Sequence, residues 1–430
     1  MGEKQTEENK QHRNRALALS IIPGVGQFYN RQYVKGSIFF ILAVSFFVAF
    51  FDLLNMGFWG LFTLGTDLSR GDHSIFLLVQ GIIAVIITAL GLGIYALNLY
   101  DAYQNGKKRD LGEKLNTLKG QYQNLIDSGF PYLMITPGFV LLVFVVILPI
   151  IFVVLLAFTN YDLYHSPPAK LVDWVSFKNF VDIFTLSIWR ETFFHVFAWT
   201  IVWTFSATTI QVALGIFLAV VINQKDLKFK GIIRTVLILP WAVPAFVSTL
   251  VFAGMFNETF GAINVQVLEF FGINPIPWMT EAMWTKIALI SIQAWLGFPF
   301  VFVMTTGVLQ SIPDELYEAA TVDGASALQK FKNITLPLVL FATAPILITQ
   351  YTFNFNNFNI IFLFNGGGPA VSGQNAGGTD ILISWIYNLT MTSAEYSKAA
   401  AITLILSLIV IAVALWQFKR TKSFQEEDMM

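Results

Sequence analysis

A row of amides in one long apolar stretch supplies the side chains best suited to bind a ligand. Gln350, Asn354 and Asn357 are spaced i, i+4 and i+7, so a helix through this stretch places them on one face. Phenylalanines at positions 353, 355 and 358 lie beside or behind them. Amides donate and accept hydrogen bonds, and aromatic rings pack against C–H surfaces. The pattern therefore has the chemistry that binding a sugar requires.

A second apolar stretch carries a related pattern. Its members at helical spacing are Gln293, Leu296, Gly297 and Phe300. Gly297 permits close approach of a neighbour, and Pro299 is expected to bend the helix. A third stretch places Trp241 where prolines on both sides bend the chain.

The same residues admit a structural interpretation. Amides can hold neighbouring membrane helices together, and aromatics can fill lipid-facing surface. A row of amides facing lipid would be costly, so in either case this face is expected to meet a cavity or another helix. Residue types alone leave the two interpretations open.

The remaining polar residues indicate no catalytic or metal chemistry. The histidines, at positions 12, 73, 165 and 195, are scattered without metal-ligand spacing, and the chain has no cysteine. It also lacks the G-x-x-x-x-G-K-[ST] loop that cradles ATP phosphates. We therefore expect no catalytic residue, metal or cofactor in this chain. If ATP drives it, another subunit binds the ATP and Mg²⁺.

The composition is that of a membrane protein. Of the 430 residues, 55% are hydrophobic and only 12% are charged, and the mean hydropathy is +0.63. Soluble domains carry about 25% charged residues, so this chain has too little polar surface to coat a water-soluble globule. The net charge of −1 provides no basic field for nucleic acid.

Eight apolar runs approach or exceed the length that crosses a bilayer, which takes about 20 residues of helix. They are Gly36–Leu54, Ile75–Leu97, Tyr132–Phe158, Phe193–Ile222, Ile232–Phe256, Ile287–Leu309, Leu338–Phe364 and Ala399–Phe418. The sequence thus predicts an all-α polytopic membrane protein with eight transmembrane helices. No small-residue cleavage site follows the first run, so we expect it to stay in the membrane.

The distribution of positive charge predicts the orientation. With the N-terminus inside, the cytoplasmic segments hold 20 of the 26 Lys and Arg residues. Cytoplasmic loops are the ones enriched in these residues. Both termini are therefore expected on the cytoplasmic side of the membrane.

Ionisable groups are nearly absent from the spans. Asp52 and His195 lie near span ends, and no carboxylate occupies a span centre. Ion-coupled carriers usually need such a group, so this class is disfavoured, although a sodium site made of backbone oxygens stays open. A membrane scaffold without a substrate is the other alternative, and it predicts that no ATPase subunit co-purifies with the chain.

The inner loop of residues 311–337 is predicted to form two short helices separated by a turn. Pro313 and Asp314 suit a first helical turn, and Asp323-Gly324 is a turn signal. Residues 325–333 are expected to form the second helix, and Pro337 to start the next element. Such a pair, tied to two spans, is suited to transmit movement.

The same loop resembles a family signature. Glu318-Ala319-Ala320, Asp323-Gly324-Ala325 and Leu336-Pro337 look like the EAA motif of binding-protein-dependent ABC importer permeases. The resemblance implies that this loop docks into a cleft of an ATPase subunit. The residues it assigns to coupling are Glu318, Ala319, Ala320, Asp323 and Gly324, with Glu318 facing the ATPase and Gly324 forming the turn.

The resemblance extends over residues 130–420 to the larger permease of the maltose/maltodextrin type. Supporting stretches are residues 239–244, 295–299, 353–358 and 365–369. The sugar site it implies consists of Trp241, Gln293, Leu296, Gly297, Phe300, Gln350, Asn354 and Asn357. Trp241 and Gln293 differ in type from the family, so the preferred sugar length or linkage is expected to differ. Galacto-oligosaccharides or another oligosaccharide are the alternative substrate.

The resemblance also implies a domain order and a set of partners. Residues 1–35 form a cytoplasmic segment, 36–130 two accessory spans and a connector, 131–418 a six-helix ABC permease core, and 419–430 a cytoplasmic tail. The implied partners are a second homologous permease, an ABC ATPase dimer, an extracellular sugar-binding lipoprotein and the lipid bilayer.

Overall fold

The computed structural model describes residues 11–115, 117–127, 129–224 and 227–420. Within these ranges, strand pairing is limited to two isolated bridges, Thr159 with Trp174 and Ala370 with Gly377. The chain divides into two compact units, Met1–Asn179 and Phe180–Met430. The start of the predicted cytoplasmic segment (1–10) and most of the predicted tail (421–430) lie outside the described residues.

Helices build both units. The first unit contains α1 (His12–Leu19), α2 (Val25–Tyr29), α3 (Tyr33–Thr63), α4 (Ser74–Asp110), α5 (Leu118–Asp127), α6 (Phe130–Leu142) and α7 (Leu148–Leu156). The α8 helix (Lys178–Thr185) crosses the boundary in sequence. The second unit contains α9 (Ser187–Ile222), α10 (Lys230–Ala242), α11 (Ala245–Met255), α12 (Ala282–Ser311), α13 (Asp314–Val322), α14 (Ala327–Lys330), α15 (Leu336–Phe355), α16 (Phe358–Asn365), α17 (Leu382–Met391) and α18 (Tyr396–Arg420).

Seven helical stretches in the described part of the chain are long and apolar enough to cross a membrane. They are α3, α4, α6–α7, α9, α12, α14–α16 and α18. The pair α10–α11 passes the same test as one broken span, bent by 90°. The prediction of an all-α protein with eight candidate spans is therefore confirmed when the bent pair is counted as one.

The fifth span is broken where a single bent helix was predicted. The α10 helix ends at Ala242, and Val243 is extended before Pro244, which stands at the start of α11. A residue that precedes proline is pushed out of the α-helical region by the proline ring. The sequence signal for a bend was correct, but its size was underestimated.

The seventh span is also interrupted. The α15 helix ends at Phe355 and α16 begins at Phe358, with Asn356 and Asn357 between them in non-helical conformations. Asn357 therefore does not continue the helical face of Gln350 and Asn354, as the spacing had predicted. It turns out of the helix and stands at the start of the next one.

The N-terminal segment of the first unit folds against the end of α4. Asn98 Oδ1 accepts a hydrogen bond from the Gly24 N–H at 3.0 Å, and Asn98 Nδ2 donates to Ser20 O at 2.9 Å. Asp110 accepts bonds from the N–H groups of His12 and Arg13. Residues 12–35, named the N-terminal clamp below, are thus fixed by long-range contacts that the polar composition did not predict.

The second unit has two apolar clusters on α9 and α12. One includes Trp203, Leu289 and Ile361, and the other includes Ile216, Phe298 and Val301. Gln211 of α9 and Gln293 of α12 fall between these clusters along their helices. The packing therefore leaves a polar layer between two apolar ones.

Candidate functional site

Gln211 is the centre of a buried hydrogen-bond network in the second unit. Its Oε1 accepts a hydrogen bond from Gln293 Nε2 of α12 at 3.0 Å, and its Nε2 donates to Gln350 Oε1 of α15 at 3.3 Å. No part of Gln211 is exposed. This one side chain joins three helical stretches of membrane-crossing length.

Two asparagines extend the network from Gln293. Asn357 Nδ2 donates to Gln293 Oε1 at 3.0 Å and to Asn354 Oδ1 at 3.3 Å. Asn354 Nδ2 donates in turn to Thr208 Oγ1 of α9 at 2.9 Å. The members of this amide network are Thr208, Gln211, Gln293, Gln350, Asn354 and Asn357. They form one continuous run of side-chain hydrogen bonds.

The break after α15 is what brings Asn357 into the network. With φ −78° and ψ 74°, Asn357 leaves the helix and reaches Gln293 on α12. Trp203 Nε1 donates to Asn354 O at 2.9 Å, and the same carbonyl also accepts from the Asn357 N–H at 3.2 Å. The predicted amides therefore meet, but through an interrupted helix.

Gly297 provides the space for Gln211. A Cβ built on Gly297 would lie 2.0 Å from Gln211 Oε1, far inside any real contact distance. A side chain at this position would displace Gln211 from its bond to Gln293. The predicted close approach at Gly297 is present, and the group that approaches is a glutamine side chain.

Trp241 and Phe300 form an aromatic pair. Their ring centroids are 5.9 Å apart in an edge-to-face arrangement, and Trp241 is 55% exposed. Phe300 lies about one helical turn beyond Gly297 on α12. Leu296 is half-buried and packs against the apolar cluster that contains Trp203.

The predicted residues therefore separate into a network and its border. Gln293, Gln350, Asn354 and Asn357 are bonded members, and Gly297 contacts the network through Gln211. Among the described residues, the side chains of Trp241, Leu296 and Phe300 make no hydrogen bond to the network, and they lie on the same or neighbouring elements. Sugar hydroxyls both donate and accept hydrogen bonds, as these amides do, so the network can exchange amide–amide bonds for amide–hydroxyl bonds.

Sequence reasoning missed the contribution of α9. Thr200, Thr204, Thr208 and Gln211 are all buried and recur at intervals of three or four residues. Polar residues at this spacing in an apolar span mark one helical face. That stripe was the signal in the sequence that pointed to Gln211 and Thr208.

The inner loop forms the predicted pair of helices. The α13 helix begins at Asp314 directly after Pro313, and Gly324 adopts a left-handed φ of 76° at the turn. The second helix, α14, begins at Ala327 under a capping box formed by Ser326 and Gln329.

The end of this loop leads into the next span. A π-helical turn, Phe331–Thr335, joins α14 to α15, and α15 begins at Leu336, one residue before Pro337, the predicted start of the next element. Proline is tolerated there because it falls in the first turn of α15. Tyr317 OH and Thr335 Oγ1 are 2.9 Å apart, which ties α13 to the root of α15.

The loop surface combines acidic and apolar groups. Glu318, Ala319, Asp323 and Gly324 are exposed and Ala320 is half-buried. Val322 is 88% exposed and Leu328 is 73% exposed.

Two ionisable groups of the second unit, Glu258 and Asp380, lie in loops and not in the amide network. Burial alone would raise the pKa of Glu258, but bonds from the Met279 and Thr280 N–H groups outweigh it and lower the pKa. Burial raises the pKa of Asp380, against the opposing bonds from Ser384 and Gly377. The amide network itself contains no ionisable residue.

Comparisons with known proteins identify the relatives of this chain. Residues 211–422 match the family described as binding-protein-dependent transport system inner membrane component. The chain is 64% identical to the galactooligosaccharides transport system permease protein GanP of Bacillus subtilis (strain 168), over 97% of this chain and 100% of that protein. It is 49% identical to the maltodextrin transport system permease protein MdxF of the same strain, over 98% of this chain and 100% of that protein.

A third relative is also a permease, and a solved structure shares the fold. The maltodextrin transport system permease protein MalC of Streptococcus pneumoniae serotype 4 is 48% identical, over 98% of each chain. The fold is shared with a bacterial ABC transporter involved in the import of the acidic polysaccharide alginate, at a TM-score of 0.56 and 21% identity. That likeness covers 69% of this chain and 96% of the other.

The relatives that match this chain over nearly its full length are all membrane transport permeases. The chain belongs to the family of binding-protein-dependent transport system inner membrane components, as a membrane-spanning permease subunit of an ABC sugar importer.

Proposed function

We propose that this permease forms the translocation path for galacto-oligosaccharides. The observation that carries this choice is the 64% identity to a galactooligosaccharides permease, against 49% to a maltodextrin permease of the same organism. Maltodextrins, the substrate expected from the sequence resemblance, are the second candidate. The full-length similarity to two maltodextrin permeases supports them.

The sugar site in this proposal is the amide network with its border. Gln293, Gln350, Asn354 and Asn357 supply hydrogen bonds to hydroxyls, and Gly297 keeps room for Gln211. Trp241, Leu296 and Phe300 offer apolar and aromatic faces to the C–H surface of the sugar. Gln211 and Thr208 of α9 are added to the predicted set because they hold the other amides in place.

Exchange of partners is the proposed binding event. In the structure described above the amides satisfy one another, which avoids the cost of about 1–3 kcal/mol for each unpaired buried polar group. When the spans separate, sugar hydroxyls take over those bonds. The network thus closes the path without a sugar and binds a sugar when the path opens.

The proposed importer also contains a second homologous permease, two copies of an ATPase and an extracellular sugar-binding lipoprotein. The ATPase, which binds ATP and Mg²⁺, receives the exposed face of α13 and α14 around Glu318. A transporter of the same fold, the bacterial alginate ABC transporter, was crystallised in complex with a pentasaccharide-bound periplasmic protein, which supports the binding-protein partner. In this scheme both termini and the α13–α14 pair are cytoplasmic, as the charge distribution predicts.

Coupling follows from this assembly. ATP closes the ATPase dimer, and the braced α13–α14 pair transmits the closure to α12 and α15. The spans then open outward, and the loaded binding protein releases the sugar to the amide network. ATP hydrolysis returns the spans to the inward-facing arrangement.

Uptake of labelled sugars tests the proposed substrate. Cells that lack only this subunit should lose uptake of labelled galacto-oligosaccharide, and expression of the chain should restore it. Unlabelled galacto-oligosaccharide should compete more strongly than maltodextrin. Restored uptake of maltodextrin alone would instead establish the second candidate.

A further inference from the structure

A carboxyl group, that of Asp52, lies well inside the first membrane-crossing helix, α3. The sequence placed it near the end of the first apolar run, but the helix continues to Thr63. From Gly36 to Thr63, Asp52 is the only charged residue. The sequence-based expectation that Asp52 marks the end of a span is therefore wrong.

The contacts between α3 and α4 give the depth of Asp52. A Cβ added to Gly91 of α4 would lie 2.8 Å from the ring of Phe46. A Cβ added to Gly57 would lie 2.7 Å from Ala84 Cβ of α4. The two helices are thus antiparallel, and Asp52 lies at a level between Ala84 and Gly91. These two residues bracket the middle of the second apolar run, so Asp52 lies near the middle of the hydrocarbon layer.

Asp52 shares one face of α3 with two other polar side chains. Asn55 and Trp59 follow it at i+3 and i+7, on the side turned away from Gly57 and therefore from α4. All three side chains are exposed, Trp59 by 38%. Within the described ranges, none of the three side chains has a hydrogen bond or an ion pair. Asp52, Asn55 and Trp59 are named the Asp52 face below.

This face is poorly suited to contact with lipid alone. Ionisable side chains inside a membrane are rare, and almost all of them pair with another group or face a cavity. Asp and Asn side chains are too short to reach the headgroups from this depth, unlike the long side chains of Lys and Arg. The amides of the second unit satisfy one another instead. The Asp52 face therefore needs hydrogen-bond donors from outside the chain.

The kind of partner follows from the charge. A second copy of this chain, related by a two-fold axis along the membrane normal, would place two Asp52 carboxyl groups at the same level without a cation between them. A different membrane subunit can supply the missing donor. A groove of about 570 Å³ that includes Asn55 and Trp59 is lined by α3 alone, which leaves it open to a helix from another subunit.

We propose that the Asp52 face packs against a transmembrane helix of the second permease, and that this helix carries a lysine, an arginine or an amide side chain near its middle. The inference rests on the proposed importer, in which the second permease is the other membrane-spanning subunit. The donor binds the carboxyl group of Asp52 and the side-chain oxygen of Asn55. The first two spans thereby help to join the two permeases.

Photo-crosslinking in the assembled importer tests this contact. A photoreactive phenylalanine analogue replaces Asn55 in one variant. In the control it replaces Val85, which follows Ala84 on α4, lies at nearly the same depth and is 39% exposed. With the second permease co-expressed, the probe at position 55 should form a crosslinked product with it, and the probe at position 85 should form little or none. A product with a second copy of this chain, no protein product at position 55, or equal yields at both positions would overturn the proposal.

Leucine substitutions test whether the contact is polar. Asp52→Leu with Asn55→Leu suits lipid better than the native pair, so the chain should insert as before. The donor of the second permease loses its acceptors, and retention of that subunit in detergent should weaken about fivefold or more. The control, Thr136→Leu with Ser407→Leu, removes two exposed hydroxyl groups that donate to carbonyls of their own helices. It should leave retention unchanged, and equal retention by the two double variants would contradict the proposal.

The unmodified chain separates this inference from the proposed function. If it retains no second permease, the proposed importer is wrong and the inference fails with it. If it retains the second permease but the probe at position 55 gives no crosslink to that subunit, the inference alone is wrong.

Discussion

Gly297 and Gln211 form the steric constraint that matters for the amide network at the residue scale. Gly297→Ala places a Cβ 2.0 Å from the unshifted Gln211 Oε1, so Gln211 must leave Gln293. A lost buried hydrogen bond costs about 1–3 kcal/mol, and we expect the KM for sugar uptake to rise by about tenfold. Gly307→Ala is the matched control, because it lies on the same helix with open space around it. Equal KM values for the two variants would contradict the role of Gly297.

Asp380 and Glu258 predict opposite pH dependences of stability. The raised pKa of Asp380 means that the folded protein keeps a proton that the unfolded chain has lost. Its contribution therefore falls as pH rises from the ordinary carboxyl range through the raised pKa. The lowered pKa of Glu258 has the reverse effect, and its contribution is lost as pH falls through that lowered value.

Thermal melting against pH distinguishes the two groups. Asp380→Asn should flatten the fall in Tm on the alkaline side of the carboxyl range. Glu258→Gln should flatten the fall on the acidic side. If a substitution leaves the fall in Tm on its side of the profile unchanged, the substituted carboxyl does not cause that fall.

Part of the site could be predicted from residue types and part could not. The amides at 293, 350, 354 and 357 stand out because polar groups in apolar runs need partners. Gln211 was overlooked although Thr208 and Thr204 precede it at helical spacing. The break at Asn357 decides which of these amides bond to one another. The i, i+4, i+7 spacing assumes one unbroken helix and therefore does not predict those bonds.

The turn between α13 and α14 is the critical point at the scale of elements. Gly324 has a φ of 76°, where a side chain costs about 1–2 kcal/mol. Gly324→Ala should therefore misalign the two helices and lower sugar-stimulated ATP hydrolysis by the assembled importer. Gly272→Ala is the matched control, with a φ of 67° and equally open surroundings.

The comparison separates local strain from coupling. Both substitutions should reduce stability by similar amounts. Only Gly324→Ala should reduce the ratio of stimulated to basal ATP hydrolysis. A similar fall in that ratio for Gly272→Ala would remove the coupling role from this turn.

The sequence predicts which spans exist better than it predicts where those spans are interrupted. Apolar length gave the spans, since a bilayer demands about 20 residues of helix. The 90° break at Val243 and the loss of helix at Asn356 depend on neighbouring packing as well as on local sequence. The N-terminal clamp depends on Asn98 and Asp110, which lie more than 70 residues away from their partners.

At the scale of the whole molecule, orientation in the membrane can be measured by labelling. The chain has no cysteine, so a single introduced cysteine reports the side of the membrane on which it lies. Ser326 on the α14 cap and Ser372 in the loop before α17 are both exposed. Ser372→Cys should react with a membrane-impermeant maleimide in intact cells, and Ser326→Cys should react only after the membrane is opened. The reverse labelling pattern would contradict cytoplasmic placement of the α13–α14 pair.

The surface of the whole molecule also bears on which tasks this subunit performs in the proposed importer. Phe47, Val48 and Phe62 of α3 are 62%, 80% and 76% exposed, a surface that fits lipid or another membrane subunit but not water. The chain has no phosphate loop of its own. In the proposed importer, energy enters through the ATPase subunit, and the exposed α13–α14 pair is the surface proposed to receive it.

One uptake measurement tests most directly whether the amide network binds the transported sugar. The assembled importer carrying Asn354→Ala and Asn357→Ala is reconstituted beside an Asn356→Ala control, since Asn356 is exposed and outside the network. We expect the double variant to assemble with its ATPase and to lose uptake of labelled galacto-oligosaccharide, while the control transports normally. Normal uptake kinetics in the double variant would mean that these amides only hold the helices together.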